Sequence, residues 1–371
     1  MRVGVPKEIK THEYRVGLTP GAAREYVAAG HTVVIESGAG AGISADDDVY
    51  RHAGATVVNT AADLFATSEM IVKVKEPQPI EWVRLREGQI LFTYLHLAAD
   101  PGLVKGLLQS GCTAVAYETV TDDRGGLPLL APMSEVAGRL SIEAAGAALQ
   151  RHAGGRGLLL GGVPGVLPAR IVVLGGGVVG THAARMAVGL GAEVVIIDRS
   201  ITRLRELDGL FGGRVHTRFS TLDAIEEEVF NADVVIGAVL VTGARAPKLV
   251  TRSMLPRMRR GAVLVDVAID QGGCFETSHP TTHADPLYMV DGVVHYCVAN
   301  MPGAVPLTSS DALNNATLPY GLALARDGLA AIARDPGLRA GLNIHRGRIT
   351  HQAVANSIGL PWQPIDQSFA S

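Results

Sequence analysis

Three glycines and one aspartate in the middle of the chain have the spacing of a nucleotide-binding turn. The segment IVVLGGGVVGTH places Gly175, Gly177 and Gly180 after a β-branched run, and a second apolar run ends on Asp198. In a strand–turn–helix–strand unit, the first glycine permits the turn, the second lets a pyrophosphate approach the backbone, and the third lets the helix pack on the strand. The free N–H groups of the helix favour an anion. The pattern therefore predicts a dinucleotide-binding site.

The acid at the end of the second apolar run bears on which dinucleotide binds. Asp198 is expected to accept hydrogen bonds from the adenosine ribose hydroxyls and to repel a 2′-phosphate, which favours NAD over NADP. Arg199 follows directly and weakens that preference, because an arginine can meet a 2′-phosphate. The alternative is a glycine-rich turn in an ordinary α/β protein, but the complete βαβ pattern favours the cofactor site.

Two residues outside this segment end apolar runs and could act on a substrate, because ligands of open α/β sheets gather at the carboxyl ends of strands. Lys75 ends the run IVKVK, and His96 stands at the tip of the run ILFTYLH. An imidazole suits acid–base chemistry at neutral pH. Plainer alternatives remain open: Lys73 and Lys75 would share one face of a solvated edge strand, and His96 would be a hydrogen-bonded core histidine.

Two further residues could contact a small acid. Arg15 lies in a polar loop after the first predicted strand, and a guanidinium fork holds a carboxylate in two parallel hydrogen bonds. Asp270 follows a strand of the nucleotide half, before a glycine turn, and could contact the substrate, a water or the histidine. The alternatives are a surface arginine and a turn-capping aspartate. Asp266, inside the strand, is expected to be structural.

The composition bounds the protein that positions these residues. With 371 residues, 47% hydrophobic and 19% charged, two core-rich α/β domains are expected. The net charge of −3 gives no basic patch for nucleic acid. The three cysteines, Cys112, Cys274 and Cys297, have neither metal-site nor disulfide spacing. No apolar run has membrane-spanning length and the N-terminal segment does not resemble a signal peptide, so a soluble, cytoplasmic protein without a metal is expected.

The first 128 residues alternate strand-like and helix-like patterns, which predicts a second parallel sheet. The predicted strands there are Arg2–Pro6, Thr32–Glu36, Thr56–Val58, Met70–Val74, Ile90–Leu95 and Thr113–Tyr117. The predicted helices are Pro20–Ala29, Asp46–Ala53, Ala61–Ala66 and Asp100–Ser110. The nucleotide half continues through predicted strands at Asp233–Ala238, Val263–Ala268 and His295–Cys297.

The segments between and after these halves define the predicted domain limits. A helix from about Ser134 to His152, with Ser134 as its N-cap, is expected to bridge the halves. The following glycine-rich stretch is predicted as a protruding hairpin around Leu158–Leu160, suited to a subunit contact, with a surface loop as the alternative. Residues 307–330 look helical with an interruption at Pro319. The domains are therefore 1–128 plus 307–371 for the substrate and 129–306 for NAD.

Nine segments, in order along nearly the whole chain, resemble the alanine dehydrogenase family: MRVGVPKE, EYRVGLTP, KVKEP, TYLHLA, APMSEVAGR, GGVPGV, VVLGGGVVG, VDVAIDQGGC and YCVANMP. The α-subunit of nicotinamide nucleotide transhydrogenase is similar to it as well. The resemblance implies an α/β fold of two doubly wound domains, with a Rossmann NAD-binding domain inserted in a discontinuous flavodoxin-like or Rossmann-like substrate domain. It also implies a homohexamer.

The resemblance implies reversible, NAD-dependent oxidative deamination of L-alanine to pyruvate and ammonium. By position, Arg15 and Lys75 would hold the substrate carboxylate, His96 and Asp270 would be the acid–base residues, and Met133 would border the substrate pocket. The implied cofactor contacts, besides the glycines, are Ser134, Val178, Val179, Asp198, Arg203, Ser220, Val239, Leu240, Val267, Ala268, Ile269, Asp270, Val298, Ala299, Asn300 and Met301. His279 stands where a cationic cofactor contact, commonly an arginine, is expected.

Other functions remain open at this point. A transhydrogenase-type NAD(H)-binding subunit would need a membrane partner, which this chain does not encode, and would not need the set Lys75, His96 and Asp270. A dehydrogenase of similar fold could act on glycine and glyoxylate or on a lysine-type substrate, although a small pocket bordered by Met133 and Tyr94 favours alanine. A non-catalytic NAD sensor has no feature in its favour.

Overall fold

The computed structural model describes residues 1–239 and 246–364, which divide into two compact α/β units. The first unit consists of Met1–Met133 and the chain from Gly303 onward, and the second is Ser134–Pro302. The predicted limits, 128/129 and 306/307, lie a few residues from these points. The predicted fold class, α/β with one unit inserted in a discontinuous other, is confirmed.

An eight-stranded sheet forms the centre of the first unit. In the order β15-β14-β6-β5-β4-β1-β2-β3, the strands β1 to β6 are parallel and β14 and β15 are antiparallel. Most residues of the parallel strands are apolar and buried, as expected for a sheet covered on both faces. The strands are β1 (Arg2–Val5), β2 (Thr32–Glu36), β3 (Thr56–Val58), β4 (Met70–Val72), β5 (Ile90–Thr93), β6 (Thr113–Ala116), β14 (Leu342–His345) and β15 (Arg348–Ile349).

The strand order of this sheet reverses between β1 and β4. Its six parallel strands have the order 3-2-1-4-5-6 of a Rossmann sheet, and the flavodoxin-like order is not observed. Ligands of such sheets bind at the reversal point, beyond the carboxyl ends of the strands. In this unit, those ends are followed by Glu8 after β1 and by Lys73 to Lys75 after β4.

Helices flank the sheet of the first unit. They are α1 (Pro20–Ala28), α2 (Asp47–His52), α3 (Ala61–Thr67), α4 (Pro79–Trp82), α5 (Pro101–Ser110), α10 (Pro306–Asp327), α11 (Leu329–Arg334), α12 (Pro336–Gly341) and α13 (Gln352–Ile358). The long helix α10 runs through Pro319, so the predicted interruption is wrong. Its first turns are tied to the chain after β1, because Ser310 Oγ and Asn314 Oδ1 accept the N–H groups of Val16 and Thr19 at 3.2 and 2.9 Å.

The sheet of the second unit has the order β12-β13-β11-β10-β7-β8-β9, with β12 antiparallel at one edge. Its parallel strands again follow the order 3-2-1-4-5-6. The strands are β7 (Arg170–Leu174), β8 (Glu193–Asp198), β9 (His216–Phe219), β10 (Val234–Gly237), β11 (Val263–Asp266), β12 (Leu287–Val290) and β13 (Val293–Tyr296). Its helices are α7 (Val178–Gly189), α8 (Ile201–Phe211) and α9 (Leu222–Asn231), and α6 (Ala131–Ala148) crosses the division between the units.

An ionic group ties α9 to this sheet. Glu228 accepts hydrogen bonds from Arg170 on β7 and Arg218 on β9, at 2.6 and 2.7 Å. Burial raises the pKa of the Glu228 carboxyl, but the two arginines lower it more, so the net pKa lies below its ordinary value. The carboxylate is therefore charged wherever the protein is near neutral pH.

Two local predictions are wrong. Helix α6 begins at Ala131 because Pro132 is tolerated in a first turn, so Ser134 lies inside the helix rather than capping it. The predicted hairpin around Leu158–Leu160 contains only a short bridge between Val163 and Val166. Leu160 is buried in the core of the second unit, whereas Leu159 and the residues of the bridge are exposed.

Within residues 1–239 and 246–364, no helix is long and apolar enough to span a membrane. The same residues contain no group of three histidines, cysteines or carboxylates that could hold a metal ion. All three cysteines are buried as free thiols.

Candidate active site

The glycine turn, Gly175–Gly180, has the geometry of a dinucleotide site. Gly175 has φ +101°, and a Cβ there would lie 2.7 Å from the carbonyl oxygen of Ala238. A Cβ on Gly180 would lie 1.9 Å from the oxygen of Gly175, so only glycine lets α7 pack this closely. A Cβ on Gly177, the N-cap of α7, would meet nothing within 4 Å. The turn therefore leaves open space at a helix N-terminus, where a pyrophosphate fits.

Asp198 and Arg203 hold this turn. Asp198 Oδ2 accepts the N–H of Gly176 at 2.7 Å, and Oδ1 accepts the N–H of Ser200 at 2.8 Å. Arg203 donates from Nε to the oxygen of Gly176 at 2.7 Å and from Nη2 to Thr181 Oγ1 at 2.8 Å. Arg203 thus acts on the turn itself, whereas Arg199 is exposed. The residues present fit a dinucleotide.

Most other predicted cofactor residues follow the carboxyl ends of neighbouring strands of this unit. Ser220, after β9, donates its N–H to the oxygen of Asp198 at 3.0 Å. Val267, after β11, donates its N–H to Gly237 at 3.0 Å, next to Val239 after β10. Val178 and Val179 open α7, Ala268 to Asp270 follow Val267, and Val298 to Met301 follow β13. Leu240 lies outside the described residues, and Ser134 is in the first turns of α6.

The two aspartates after β11 differ in exposure. Asp266 is buried and accepts hydrogen bonds from the N–H groups of Cys274 and Phe275 at 2.8 and 3.2 Å and from Ser278 Oγ at 2.5 Å. Burial raises the pKa of the Asp266 carboxyl despite these donors. Asp270 is exposed in a short 3₁₀ turn, Ile269–Gln271. Asp266 thus holds the loop, and Asp270 is the carboxylate presented to solvent.

His279 lies away from the glycine turn. Its ring stacks on the ring of Tyr288 with centroids 3.7 Å apart, and its backbone N–H donates to Tyr288 Oη at 3.0 Å. Tyr288 belongs to β12, the edge strand opposite β9 in the sheet. His279 also lines a cavity of about 550 Å³ with Arg252 and Asp291. The structure therefore does not bring His279 to the other predicted cofactor residues of the turn.

Arg15 is buried in the first unit, with only 2% of it exposed, so the surface alternative is wrong. Glu13 takes one edge of the guanidinium, with Nε to Oε1 at 2.7 Å and Nη2 to Oε2 at 2.6 Å. Nη1 lies 3.0 Å from Met133 Sδ. Burial would lower the pKa of Arg15, but Glu13 raises it above its ordinary value. Arg15 is thus a buried cation beside Met133.

Lys73 and Lys75 both lie beyond the end of β4, so the predicted strand to Val74 is too long. They do not form a solvated edge, because β4 is a central strand. Lys73 is fully buried and pairs with Glu8 Oε2 at 3.0 Å and Glu81 Oε1 at 2.8 Å. Lys75 is 8% exposed, and its backbone is held by Glu8 Oε1 at 3.4 Å. Lys73 therefore holds the loop, and Lys75 stays the residue that the sequence predicts for substrate binding.

His96 stands in the loop after β5 with a left-handed backbone, φ +50°. The carboxylate of Glu118 accepts its N–H at 2.6 Å and the N–H of Leu95 at 3.1 Å, which fixes that backbone. The side chain is 39% exposed, and its Nδ1 lies 3.5 Å from Glu76 Oε2. The core-histidine alternative is therefore wrong.

The structure brings the predicted substrate residues of the first unit into one cluster. Tyr94 links two of them: its ring is 5.9 Å from that of His96, and it interacts electrostatically with Arg15. Glu76 interacts with both Lys75 and His96. Two cations beside an imidazole can bind a carboxylate and move a proton. The buried acids Glu8 and Glu13 and the partly buried acids Glu76 and Glu118 were not predicted.

One unit is a Rossmann domain with a dinucleotide turn, and the other unit carries this cluster. The protein therefore belongs to the class of two-domain dinucleotide-binding α/β proteins. Family models agree: "Alanine dehydrogenase/PNT, N-terminal domain" matches residues 4–137, and "Alanine dehydrogenase/PNT, C-terminal domain" matches residues 141–352. The chain belongs to the alanine dehydrogenase/PNT family.

Individual relatives cover nearly the whole chain. An alanine dehydrogenase of Halomonas elongata is 60% identical over 363 residues, covering 98% of both chains. A solved structure of an L-alanine dehydrogenase superposes with a TM-score of 0.94 at 55% identity, covering 97% of this chain and 99% of that one. A solved transhydrogenase from Sinorhizobium meliloti has a TM-score of 0.80 at 26% identity, covering 95% and 100%.

Proposed function

We propose that this chain is an L-alanine dehydrogenase that uses NAD to convert L-alanine and water reversibly into pyruvate and ammonium. The observation that carries the proposal is the cluster of Arg15, Lys75 and His96 in the unit that lacks the glycine turn. Relatives at 60% and 55% identity bear the name of this enzyme. The same activity with glyoxylate and glycine is a variant of the proposal.

Arg15 and Lys75 bind the substrate carboxylate. Both are buried, so a carboxylate that reaches them leaves water and gains charge-assisted hydrogen bonds. In this proposal the substrate meets the guanidinium beside Met133, whose Sδ lies 3.0 Å from Nη1 of Arg15. Met133 and Tyr94 favour a side chain as small as a methyl group there.

His96 and Asp270 carry the acid–base work. The chemistry that NAD supplies when bound is the acceptance of a hydride from alanine Cα, which leaves iminopyruvate. Water then adds to C2, His96 takes its proton, and the carbinolamine collapses to pyruvate and ammonia. The exposed carboxylate of Asp270 orients the nitrogen or the water. A positioned acid–base group contributes roughly 10²–10⁴-fold in rate.

The glycine turn favours NAD. Asp198 is fixed at the end of β8 by Gly176 and Ser200, so its charge cannot swing away from a 2′-phosphate. Arg203 does not offset it, because its Nε and Nη2 already bind the turn. Ser134, Val178, Val179, Ser220, Val239, Leu240 and the segments Val267–Asp270 and Val298–Met301 complete the proposed cofactor site.

We also propose that the protein forms a homohexamer. The exposed apolar side chains around the short bridge, Leu159, Val163, Val166 and Leu167, form a surface that a second copy can cover. Light scattering coupled to size exclusion would give about six times the mass of 38.8 kDa for the chain. A monomer at micromolar concentration would contradict this assembly.

The alternative is an NAD(H)-binding transhydrogenase subunit, favoured by the TM-score of 0.80 with the Sinorhizobium meliloti structure. Initial rates separate the two. The purified protein is mixed with NADH, ammonium and either pyruvate or glyoxylate, and the reverse reaction is measured with L-alanine and NAD. We expect turnover with pyruvate and alanine. NADH binding without turnover of either substrate would support the alternative.

A further inference from the structure

Glu76 is an acidic side chain beside the cluster that the proposed mechanism does not use. It follows Lys75 directly, and its side chain is only 12% exposed. Lys10 Nζ donates to Oε1, and Oε2 lies 3.5 Å from His96 Nδ1. Oε2 is buried and has no hydrogen-bond partner within the described residues. The carboxylate is therefore fixed on one side and directed at the imidazole on the other.

The charge of Glu76 is well defined. Burial raises the pKa of its carboxyl, but His96, Lys75 and Lys10 lower it far more, to well below the ordinary value. The group is thus an anion throughout the neutral range. Its distance to Nδ1 is long for a hydrogen bond, and such contacts often tighten only when the substrate is bound.

We propose that Glu76 is the positioning residue of His96. Its carboxylate accepts a hydrogen bond from Nδ1–H, so that Nε2 is the nitrogen that exchanges a proton with the substrate. The inference rests on the acid–base role of His96 in the proposed function. A carboxylate at one ring nitrogen fixes the tautomer and the orientation of an imidazole, and it stabilises the imidazolium once the other nitrogen is protonated.

The other groups described around His96 do not take the role that we propose for Glu76. Glu118 binds the backbone N–H, and Tyr94 contacts the ring through its aromatic face rather than through a charge. The ammonium groups of Lys75 and Lys10 interact with the carboxylate of Glu76. Glu76 is therefore the charged group that faces Nδ1 of the imidazole.

The test uses Glu76→Gln, which keeps the shape and removes the charge. In the full-length enzyme, kcat/KM for L-alanine should fall at least about tenfold, because the imidazole loses the carboxylate that orients it. The acidic limb of its pH profile should move about one unit lower, because an opposite charge close to a base favours the protonated form. NADH affinity should not change. Glu76→Asp should recover part of the loss.

Two other variants separate positioning from a general effect. Glu87→Gln makes the same change on an exposed turn of this unit and should leave the profile unchanged. Lys10→Met removes the other partner of Glu76 and should move the acidic limb much less than Glu76→Gln. An unchanged profile in Glu76→Gln, or a Lys10→Met profile that equals it, would overturn the proposal.

A readout that needs no turnover keeps this test independent of the proposed function. Diethyl pyrocarbonate labels neutral imidazoles, and mass spectrometry of the peptide that contains His96 follows its labelling with pH. Half-labelling should occur about one unit lower in Glu76→Gln than in the wild type. Equal curves would overturn the role of Glu76 even if alanine proved not to be the substrate.

Discussion

Substitution of glycine by alanine should have different effects at two glycines of the turn: one variant should lose stability and the other should lose NADH affinity. In Gly180→Ala, the new methyl would lie 1.9 Å from the carbonyl oxygen of Gly175, more than 1 Å inside ordinary contact, and that oxygen belongs to packed backbone. Such overpacking costs about 1–3 kcal/mol. The better helix propensity of alanine returns about 1 kcal/mol. The net loss of about 1 kcal/mol should lower the Tm by roughly 2–4 °C for a unit of this size.

Gly177→Ala should leave stability unchanged. Its φ of −68° suits alanine, and the methyl meets nothing within 4 Å. The methyl instead fills the space proposed for the pyrophosphate, so NADH affinity should fall at least about tenfold, or 1.4 kcal/mol.

Thermal unfolding without ligand and NADH fluorescence titration measure the two effects separately. Gly189→Ala, at the exposed end of the same helix and with nothing within 4 Å, is the control: it should leave NADH affinity unchanged and should not lower the Tm, because alanine is the better helix former. If Gly177→Ala binds NADH as the wild type does, the pyrophosphate does not lie at the N-terminus of α7. If Gly180→Ala melts with the wild type, the argument from backbone contact is wrong.

Four further substitutions test the proposed roles. His96→Ala should lower kcat about 10²–10⁴-fold in alanine oxidation, and near-normal turnover would remove it from acid–base catalysis. Lys75→Ala should abolish turnover while NADH titration stays normal, whereas weaker NADH binding would place it in the cofactor site. Asp198→Ala should weaken NAD binding and narrow the preference over NADP, and an unchanged ratio would contradict the ribose assignment. Glu228→Gln should cost about 1–2 kcal/mol in urea unfolding at pH 7, because it loses charge-assisted bonds to half-exposed arginines. Since the folded pKa of Glu228 is lowered, that stabilisation is complete above about pH 4.5 and disappears as the pH falls through the folded pKa, so the stabilities of wild type and variant should converge at acidic pH.

The parallel sheets could be predicted from the sequence because each strand is a short β-branched run between turn residues. Strand β2, Thr32–Glu36, has the predicted bounds, and β5 ends two residues before its predicted end at Leu95. Periodicity cannot show where the hydrogen-bonded pairing of a strand ends, because apolar residues continue from the strand into the loop. The start of α6 at Ala131 was missed for a related reason: Pro132 has the pattern of a break but is allowed in a first turn.

The chemistry-bearing residues were easier to predict than their supports. Lys75 and His96 each end an apolar run, which is a local signal. Glu13, Glu76 and Glu118 carry no such signal, because an acid in a loop has the same pattern whether it is solvated or holds a buried cation. Only the folded backbone brings Glu118 to the N–H of His96, 22 residues earlier in the chain. Glu76 follows Lys75 directly, and this adjacency is the one signal in the local sequence that could have indicated its role.

The left-handed backbone of His96 has a consequence for the evolution of the protein. A non-glycine residue in that conformation costs about 1–2 kcal/mol, which the carboxylate of Glu118 offsets by binding two consecutive N–H groups. A glycine at position 96 would relieve the strain and stabilise the fold, yet it would remove the imidazole. Selection for heat resistance alone would therefore favour a more stable but inactive protein. His96 is thus a position at which stability and activity are in conflict.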